Sequence, residues 1–229
     1  MRVAIHQPHY LPWLGQFDKI DQADCFVLLD TAQFTKHDWQ NRNRIKTVAG
    51  PQWLTVPVRQ RFQQPIGEAA IDNGVTWARQ HWRALVSAYQ GAPGFAPHRP
   101  FFEALYGATW RRLLDLNLET FRYLAGALGL TTRILLASSL DARGTATDRL
   151  VSICRALGAD TYVAGAGGRG YMDLGRFEQA GIAVVFQEFA CPTYPQRFGP
   201  FVPNLSIVDL LFNCGAESLA ILRHARHAR

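Results

Sequence analysis

Apolar residues fall along this chain in short runs that alternate with longer helical periodicities. The first run, Val3-Ala4-Ile5, has strand length and empties into His6-Gln7-Pro8-His9-Tyr10-Leu11-Pro12. Trp13 or Leu14, Phe17 and Ile20 then share one helical face. Pro12 suits the first turn of that helix, where its missing N–H leaves nothing unpaired. Cys25-Phe26-Val27-Leu28-Leu29, between Asp24 and Asp30, predicts a second buried strand. Strand, helix and strand form a compact βαβ unit, so a right-handed crossover and a parallel sheet are expected.

The pattern changes after Asp30. Residues 31–46 form the most polar and basic segment before the tail. Trp53-Leu54-Thr55-Val56-Pro57-Val58 is strand-like, with Pro57 confining it to an edge or an end. Helical spacing resumes over 77–89, and the Pro/Gly-rich stretch 91–100 reads as a connector. Residues 101–128 form a long helical pattern that Gly107 or Leu116-Asn117 could split. Strands are predicted at 133–137, 161–164 and 182–186, with helices between them. Thr145 with Asp148, and Ser206 with Asp209, have capping-box spacing. Leu205 and Leu210 stand at the two positions of a hydrophobic staple, and Gly215 is the natural stop of that last helix.

Alternating strands and helices at both ends of the chain predict an α/β fold. The expected form is a Rossmann-like parallel sheet in a single domain across residues 1–229, with a helical insertion around 76–130. Hydrophobic residues make up 48% and charged residues 18% of the 229, enough apolar material for one large core. The net charge of +6 favours an anionic partner: a nucleotide, a nucleotide-sugar or another phosphorylated small molecule. RNA is a weaker alternative, because no recognised nucleic-acid motif is present. Part of the positive excess lies in the tail from Arg223, which reads as a frayed, solvated terminus. No apolar run reaches membrane-spanning length and Met1-Arg2 leads directly into a strand, so a cytoplasmic protein is expected.

The candidate chemistry gathers in three places. In α/β folds ligands sit where strands end, and the first strand ends in His6, Gln7, His9, Tyr10 and Trp13. His6 and His9 lack a third ligand at metal-site spacing, so no metal site is predicted. Lys36, Arg42, Arg44 and Lys46, interleaved with Trp39, Asn41 and Asn43, suit a phosphate clamp or, more plainly, a solvated loop. Gly165-x-Gly167-x-x-Gly170 follows a strand and precedes a helix, with Glu188 roughly where a ribose-binding acid belongs. Its late position, Gly175 in the helix, and the bulk of Arg169 and Tyr171 speak against a dinucleotide. The loop then reads as a simple turn, or as a nest of backbone N–H groups for a phosphate or carboxylate. Cys25 and Cys154 lie in apolar runs, whereas Cys191 is in a loop and is a minor candidate acyl carrier.

Residues 7–17, Gln7-Pro8-His9-Tyr10-Leu11-Pro12-Trp13-Leu14-Gly15-Gln16-Phe17, resemble the signature of the WbqC-like proteins. Trp39-Gln40-Asn41-Arg42-Asn43-Arg44-Ile45-Lys46 and the segments around Trp53, Tyr171-Met172-Asp173 and Leu205-Ser206 do so too. The resemblance implies surface-polysaccharide (O-antigen) or related small-molecule biosynthesis, with glycyl or other aminoacyl transfer onto a sugar. The required cofactor would be a nucleotide or an activated acyl donor. Most members of that family carry other residues at the His6 or His9 positions, which shifts the catalytic assignment to Gln7, Lys36, Asn41 and Arg42. The substrate is expected to meet His6, His9, Tyr10, Trp13, Asp30, Trp39, Arg44 and Lys46. From the second half of the chain it would meet Gly165, Gly167, Gly168, Arg169, Tyr171, Tyr194, Gln196 and Ser206. The opening segment is also similar to that of HIGH-type nucleotidylyltransferases, although Gln16 stands where their histidine would be. That likeness keeps nucleotidylyl transfer, carboxylate adenylation, and nucleotide-sugar or RNA binding without turnover as alternatives.

Overall fold

The computed structural model describes residues 1–59 and 61–227. In chain order, β1 (Arg2–His6) leads through a turn to α1 (Leu14–Asp21) and β2 (Cys25–Leu28). A long excursion follows, with the antiparallel hairpin of β3 (Arg42–Thr47) and β4 (Gly50–Thr55), then β5 (Val58–Arg59) paired with β6 (Ala70–Ile71). It continues through α2 (Trp77–Tyr89), α3 (Phe95–Gly107) and α4 (Leu113–Ala127). The chain rejoins its first strands through β7 (Arg133–Leu136), α5 (Ala146–Ala156), β8 (Thr161–Ala164), α6 (Leu174–Gln179) and β9 (Ala183–Phe186). A loop then reaches α7 (Ile207–Cys214) and α8 (Ser218–His227).

Among the described residues, β7-β2-β1-β8-β9 form one five-stranded sheet in that order, and every neighbouring pair is parallel. The strands read as unbroken apolar runs because helices cover both faces. Ala4, Phe26, Leu28 and Val163 pack toward α1 and α4, where Phe17 and Phe26 each stack on Phe121 at 5.5 Å. Val3, Ile5, Val27 and Tyr162 pack the other way, against Leu150 and Cys154 of α5 and Phe177 of α6. The sheet grows from β1 to β2 and β7 on one side, then to β8 and β9 on the other. The reversal lies between β1 and β8. No helix among the described residues is long and apolar enough to cross a membrane.

Four local expectations need correction. The connector predicted at 91–100 is largely helix, since α3 starts at Phe95 and runs through Pro100. Pro97 lies in the first turn, where an N–H is dispensable. Pro100 forgoes one backbone bond, and the burial of Phe95, Phe102 and Leu105 against α2 and α7 outweighs it. The basic segment ends in a strand: Asn43 and Ile45 of β3 turn into the core while Arg42 and Arg44 stay half-buried. Ser206 caps α7 by accepting from the Val208 N–H at 3.3 Å, but Asp209 does not reach back, and Thr145 makes no side-chain cap. Finally, the tail is not solvated coil over the described residues. Arg226 of α8 meets Asp18 at 2.7 Å and Asp21 at 2.9 Å, and Arg223 meets Asp21 at 2.7 Å. Two carboxylates on α1, sunk below the surface, recruit guanidinium groups that the last helix presents three residues apart. Residues 228 and 229 of that tail lie outside the described residues.

Candidate functional site

An open parallel sheet leaves a ligand crevice at the carboxyl ends of its strands, where the strand order reverses. Here that place lies between the end of β1 and the end of β8. A hollow of about 320 Å³ opens there. His6 at the end of β1, Gln7 just after it, Lys19 from α1, and Gly165, Gly167 and Gly168 after β8 are among the residues that line it. A Cβ built on Gly165 or Gly167 meets nothing within 4 Å, so bare backbone faces open space. Gly168 differs: its Cβ would stand 2.9 Å from the Met172 sulfur, and only glycine fits without a shift.

The glycine loop does not build a dinucleotide-type helix start. Residues Ala166–Gly170 form a 3₁₀ turn, and α6 begins only after Asp173, which accepts from the Gly175 N–H at 3.0 Å. Arg169 lies 3.7 Å from Glu188 and over the Phe186 ring at 4.5 Å. Tyr171 is 70% exposed beside the hollow.

Lys19 was not among the residues expected here from sequence, nor were Phe189 and Asn204 of the neighbouring hollow. Every residue of α1 from Leu14 to Ile20 is buried, because sheet, α7 and α8 surround the helix. The Lys19 ammonium donates to the Ile5 carbonyl at 2.7 Å and has no ion pair among the described residues. Burial alone brings its pKa down to about 7. The adjacent Asp18 gives it no help, since its carboxylate is taken by Arg226, Gln187 and Gln22. The available signal was the Asp18-Lys19 pair on a short helix wedged between two buried strands, but its burial is a tertiary effect.

His6 stands at the strand end with its ring edge-on to His9, the centroids 4.6 Å apart. Burial, then His9, then Lys19 hold His6 well below the usual histidine range. Burial, then Lys19, bring His9 down to about 3. Both rings are therefore neutral at physiological pH. His6 Nδ1 lies 3.0 Å from the Gln7 carbonyl, which can only accept, so its proton sits on Nδ1 and Nε2 is left as an acceptor.

A second hollow, of about 630 Å³, begins on the other side of His6. His9, Trp13, Trp39, Arg44, Phe189 and Asn204 line it. Trp13 and Phe189 meet edge to face at 5.3 Å. The Trp13 indole lies so close over Gly15 that a Cβ there would stand 2.4 Å from the ring. Arg42 and Arg44 extend from the same face of β3 over Trp53, at 4.2 and 5.5 Å, and Trp39 packs on Trp53 at 5.4 Å. A wall of alternating cations and indoles results.

The amino-terminal turn is tied to the basic segment. The Gln7 side chain accepts from Gln40 at 2.8 Å, and the Tyr10 N–H donates to the Trp39 carbonyl at 3.1 Å. Asn43 holds the Leu11 carbonyl at 2.6 Å, pinning a buried leucine with φ of 42°. The Ser206 N–H reaches the Arg44 carbonyl at 3.0 Å.

Other candidate residues stand outside both hollows. Lys36 is exposed on a turn. Asn41 is buried and donates to the Val56 carbonyl at 2.8 Å. Asp30 is buried and accepts from the Ser138 N–H at 3.0 Å. The Tyr10 hydroxyl is sealed between His81 at 2.8 Å and Tyr106 at 2.6 Å. Lys46 donates to the Pro200 carbonyl at 2.6 Å. Tyr194 and Gln196 both donate to the buried Asp209 carboxylate, at 2.9 and 2.8 Å. Cys191 is half-buried, and burial raises its thiol pKa, which disfavours the thiolate. Among the described residues no cluster of three histidine, cysteine or carboxylate groups could hold a metal ion.

Fold and site together define an α/β protein with two adjoining ligand-sized hollows at the carboxyl edge of a parallel sheet. The chain belongs to the WbqC-like protein family, whose model matches residues 7–221. It is 40% identical over 229 residues to the uncharacterized protein Rv1507c of Mycobacterium tuberculosis, an alignment spanning 98% of this chain and 99% of that one. No solved structure matches the chain significantly.

Proposed function

We propose that this protein is a cytoplasmic two-substrate transferase that moves an activated acyl group, aminoacyl in the first instance, from an anionic donor to a sugar or similar small acceptor. One observation carries the reading: two hollows of different chemistry share a single wall residue, His6. The smaller hollow, with its open glycine backbone and Lys19 set among apolar side chains such as Ile5, Leu29 and Leu150, suits the donor's phosphate end. The aromatic hollow, with Trp13, Trp39 and Arg44, suits the flat apolar face and hydroxyls of a sugar. The reacting carbonyl would then lie at His6.

The chemistry follows from that placement. A free carboxylate is a poor acyl donor and must arrive as a mixed anhydride with phosphate, or as a thioester or ester. The acceptor amine or hydroxyl attacks the carbonyl carbon, a new C–N or C–O bond forms, and the bond to the leaving group breaks. The His6 Nε2 lone pair receives a hydrogen bond from the nucleophile, and its proton leaves with the departing group. The protein contributes orientation and fixed charge rather than a covalent nucleophile. The resemblance to polysaccharide-biosynthesis proteins supports a sugar acceptor.

The test is incubation with an activated glycyl donor and an amino sugar, followed by mass spectrometry of the acceptor. An acylated sugar that disappears in His6→Ala supports the reading. A second reading, carboxylate adenylation or nucleotidylyl transfer, draws its support from the five-stranded parallel sheet whose order reverses between β1 and β8. Pyrophosphate release from ATP or CTP, with no transfer from a supplied donor, would select it.

A further inference from the structure

We propose that Lys19 is the oxyanion receptor of the crevice between β1 and β8, and that it takes up a proton as a phosphate or carboxylate group enters. The inference rests on the reading of that crevice as the donor site, and names the group that recognises the donor.

A lysine ammonium carries three donors. In Lys19 the Ile5 carbonyl takes one, at 2.7 Å, and no other partner exists among the described residues. The residue is 2% exposed and borders the hollow that Gly165, Gly167 and Gly168 also line. A buried cation without a counter-charge is costly, and a hydrophobic residue of similar volume would pack there at lower cost.

The neighbouring groups supply no negative charge. His6 from β1 and His9 from the turn are neutral, and any charge they carried would repel Lys19. Tyr162 from β8 borders the same hollow, and burial raises its pKa, so it too is neutral. Tyr171 closes the loop side as an exposed phenol. On α1 itself, Asp18 turns to Arg226. The missing anion is therefore the ligand's. Burial pushes the Lys19 pKa down to about 7, which favours the neutral amine in the empty crevice above that pH. An oxyanion beside it favours the charged form and raises the pKa.

Lys19, Lys36 and Lys46 are the chain's lysines, so a protein labelled with ¹³Cε-lysine yields a spectrum simple enough to follow each by NMR. Lys19→Arg and Lys36→Arg assign the signals, and the titration itself is read on the unmodified chain. Sulfate and acetate are the probes. Both stay ionised between pH 7 and 9, since a simple carboxylate titrates roughly below pH 5 and sulfate lower still, and they separate phosphate-like from carboxylate recognition. The expected result is a Lys19 transition near neutral pH that one of the two probes raises by about one unit or more. A Lys19 signal that remains charged up to pH 10, roughly the ordinary lysine range, overturns the inference. So does a neutral-range transition that neither probe moves. If in that case pyrophosphate still perturbs the His6 ring signals, the donor site stands and Lys19 alone is misassigned. If pyrophosphate leaves His6 untouched as well, the reading of the crevice falls with it.

Discussion

Asp209 and Lys19 are both buried ionisable groups on helices, and their surroundings could hardly differ more. The Asp209 carboxylate accepts from Tyr89 at 2.7 Å, Tyr194 at 2.9 Å and Gln196 at 2.8 Å. Burial pushes its pKa up, while those donors and the nearby Lys46 pull it back. The donors come from α2 and from the loop before α7, so one carboxylate fastens separate segments. Lys19 has a single carbonyl and an open hollow. A buried charge with a full set of partners builds the fold. One left short of partners beside a cavity leaves room for a ligand to complete it.

Breaking the satisfied site has the largest expected effect. Asp209→Ala strands two buried hydroxyls and an amide, and the expected cost is about 3 kcal/mol or more, read by urea unfolding. A loss below about 1 kcal/mol would show that those groups find other partners. Lys19→Met has the opposite expected sign. The folded pKa near 7 lies below the value of 10.5 for a free lysine, so between these limits the unfolded chain binds more protons. Wild-type stability therefore rises with pH across that window, and Lys19→Met removes the rise. Below pH 7 the variant is the more stable, and its advantage shrinks by about 1.4 kcal/mol per pH unit above that. A pH-independent difference between the two proteins would contradict the placement of Lys19.

Smaller effects separate the two hollows. Gly15→Ala drives a methyl into the Trp13 ring, so the acceptor KM is expected to rise about tenfold with donor affinity unchanged, roughly 1.4 kcal/mol of binding at one hollow. Equal losses for both substrates would merge the hollows into one site. At the far end, Arg226→Ala exposes Asp18 as an unpaired buried carboxylate and is expected to cost about 3 kcal/mol. Arg223→Ala removes a half-exposed guanidinium and leaves Asp21 its Arg226 partner at 2.9 Å, so it costs under about 1 kcal/mol by the same urea measurement.

Much of the sheet was legible because its strands are short apolar runs bounded by turn residues. Residues 77–89 and the start of α7 were legible from periodicity and caps. Strand β3 was not, because Arg42, Arg44 and Lys46 gave it the composition of a solvated loop, and only the alternation with Asn43 and Ile45 marked a face. The start of helix α3 was hidden by its prolines, although its second half and its end at Gly107 were expected, and α8 was hidden by arginines whose partners lie about two hundred residues away in α1. At the site, His6, Gln7, Trp13, Trp39, Arg44 and the glycine loop were visible as chemistry next to predicted strand ends. Tyr10, Tyr194 and Gln196 looked alike in sequence, yet their hydroxyl and amide groups are spent on His81, Tyr106 and Asp209. Lys19, Phe189 and Asn204 join the hollows through tertiary packing, which periodicity does not report.

The central claim is that donor and acceptor occupy separate hollows meeting at His6. A crystal structure of the protein soaked with a nucleotide and an amino sugar tests it most directly. The expected density places phosphate oxygens within hydrogen-bond reach of Lys19 and the backbone of 165–168, with the sugar ring against Trp13 and Trp39 across His6. Both ligands in one hollow, or the phosphate settled on the exposed Lys36, would contradict it.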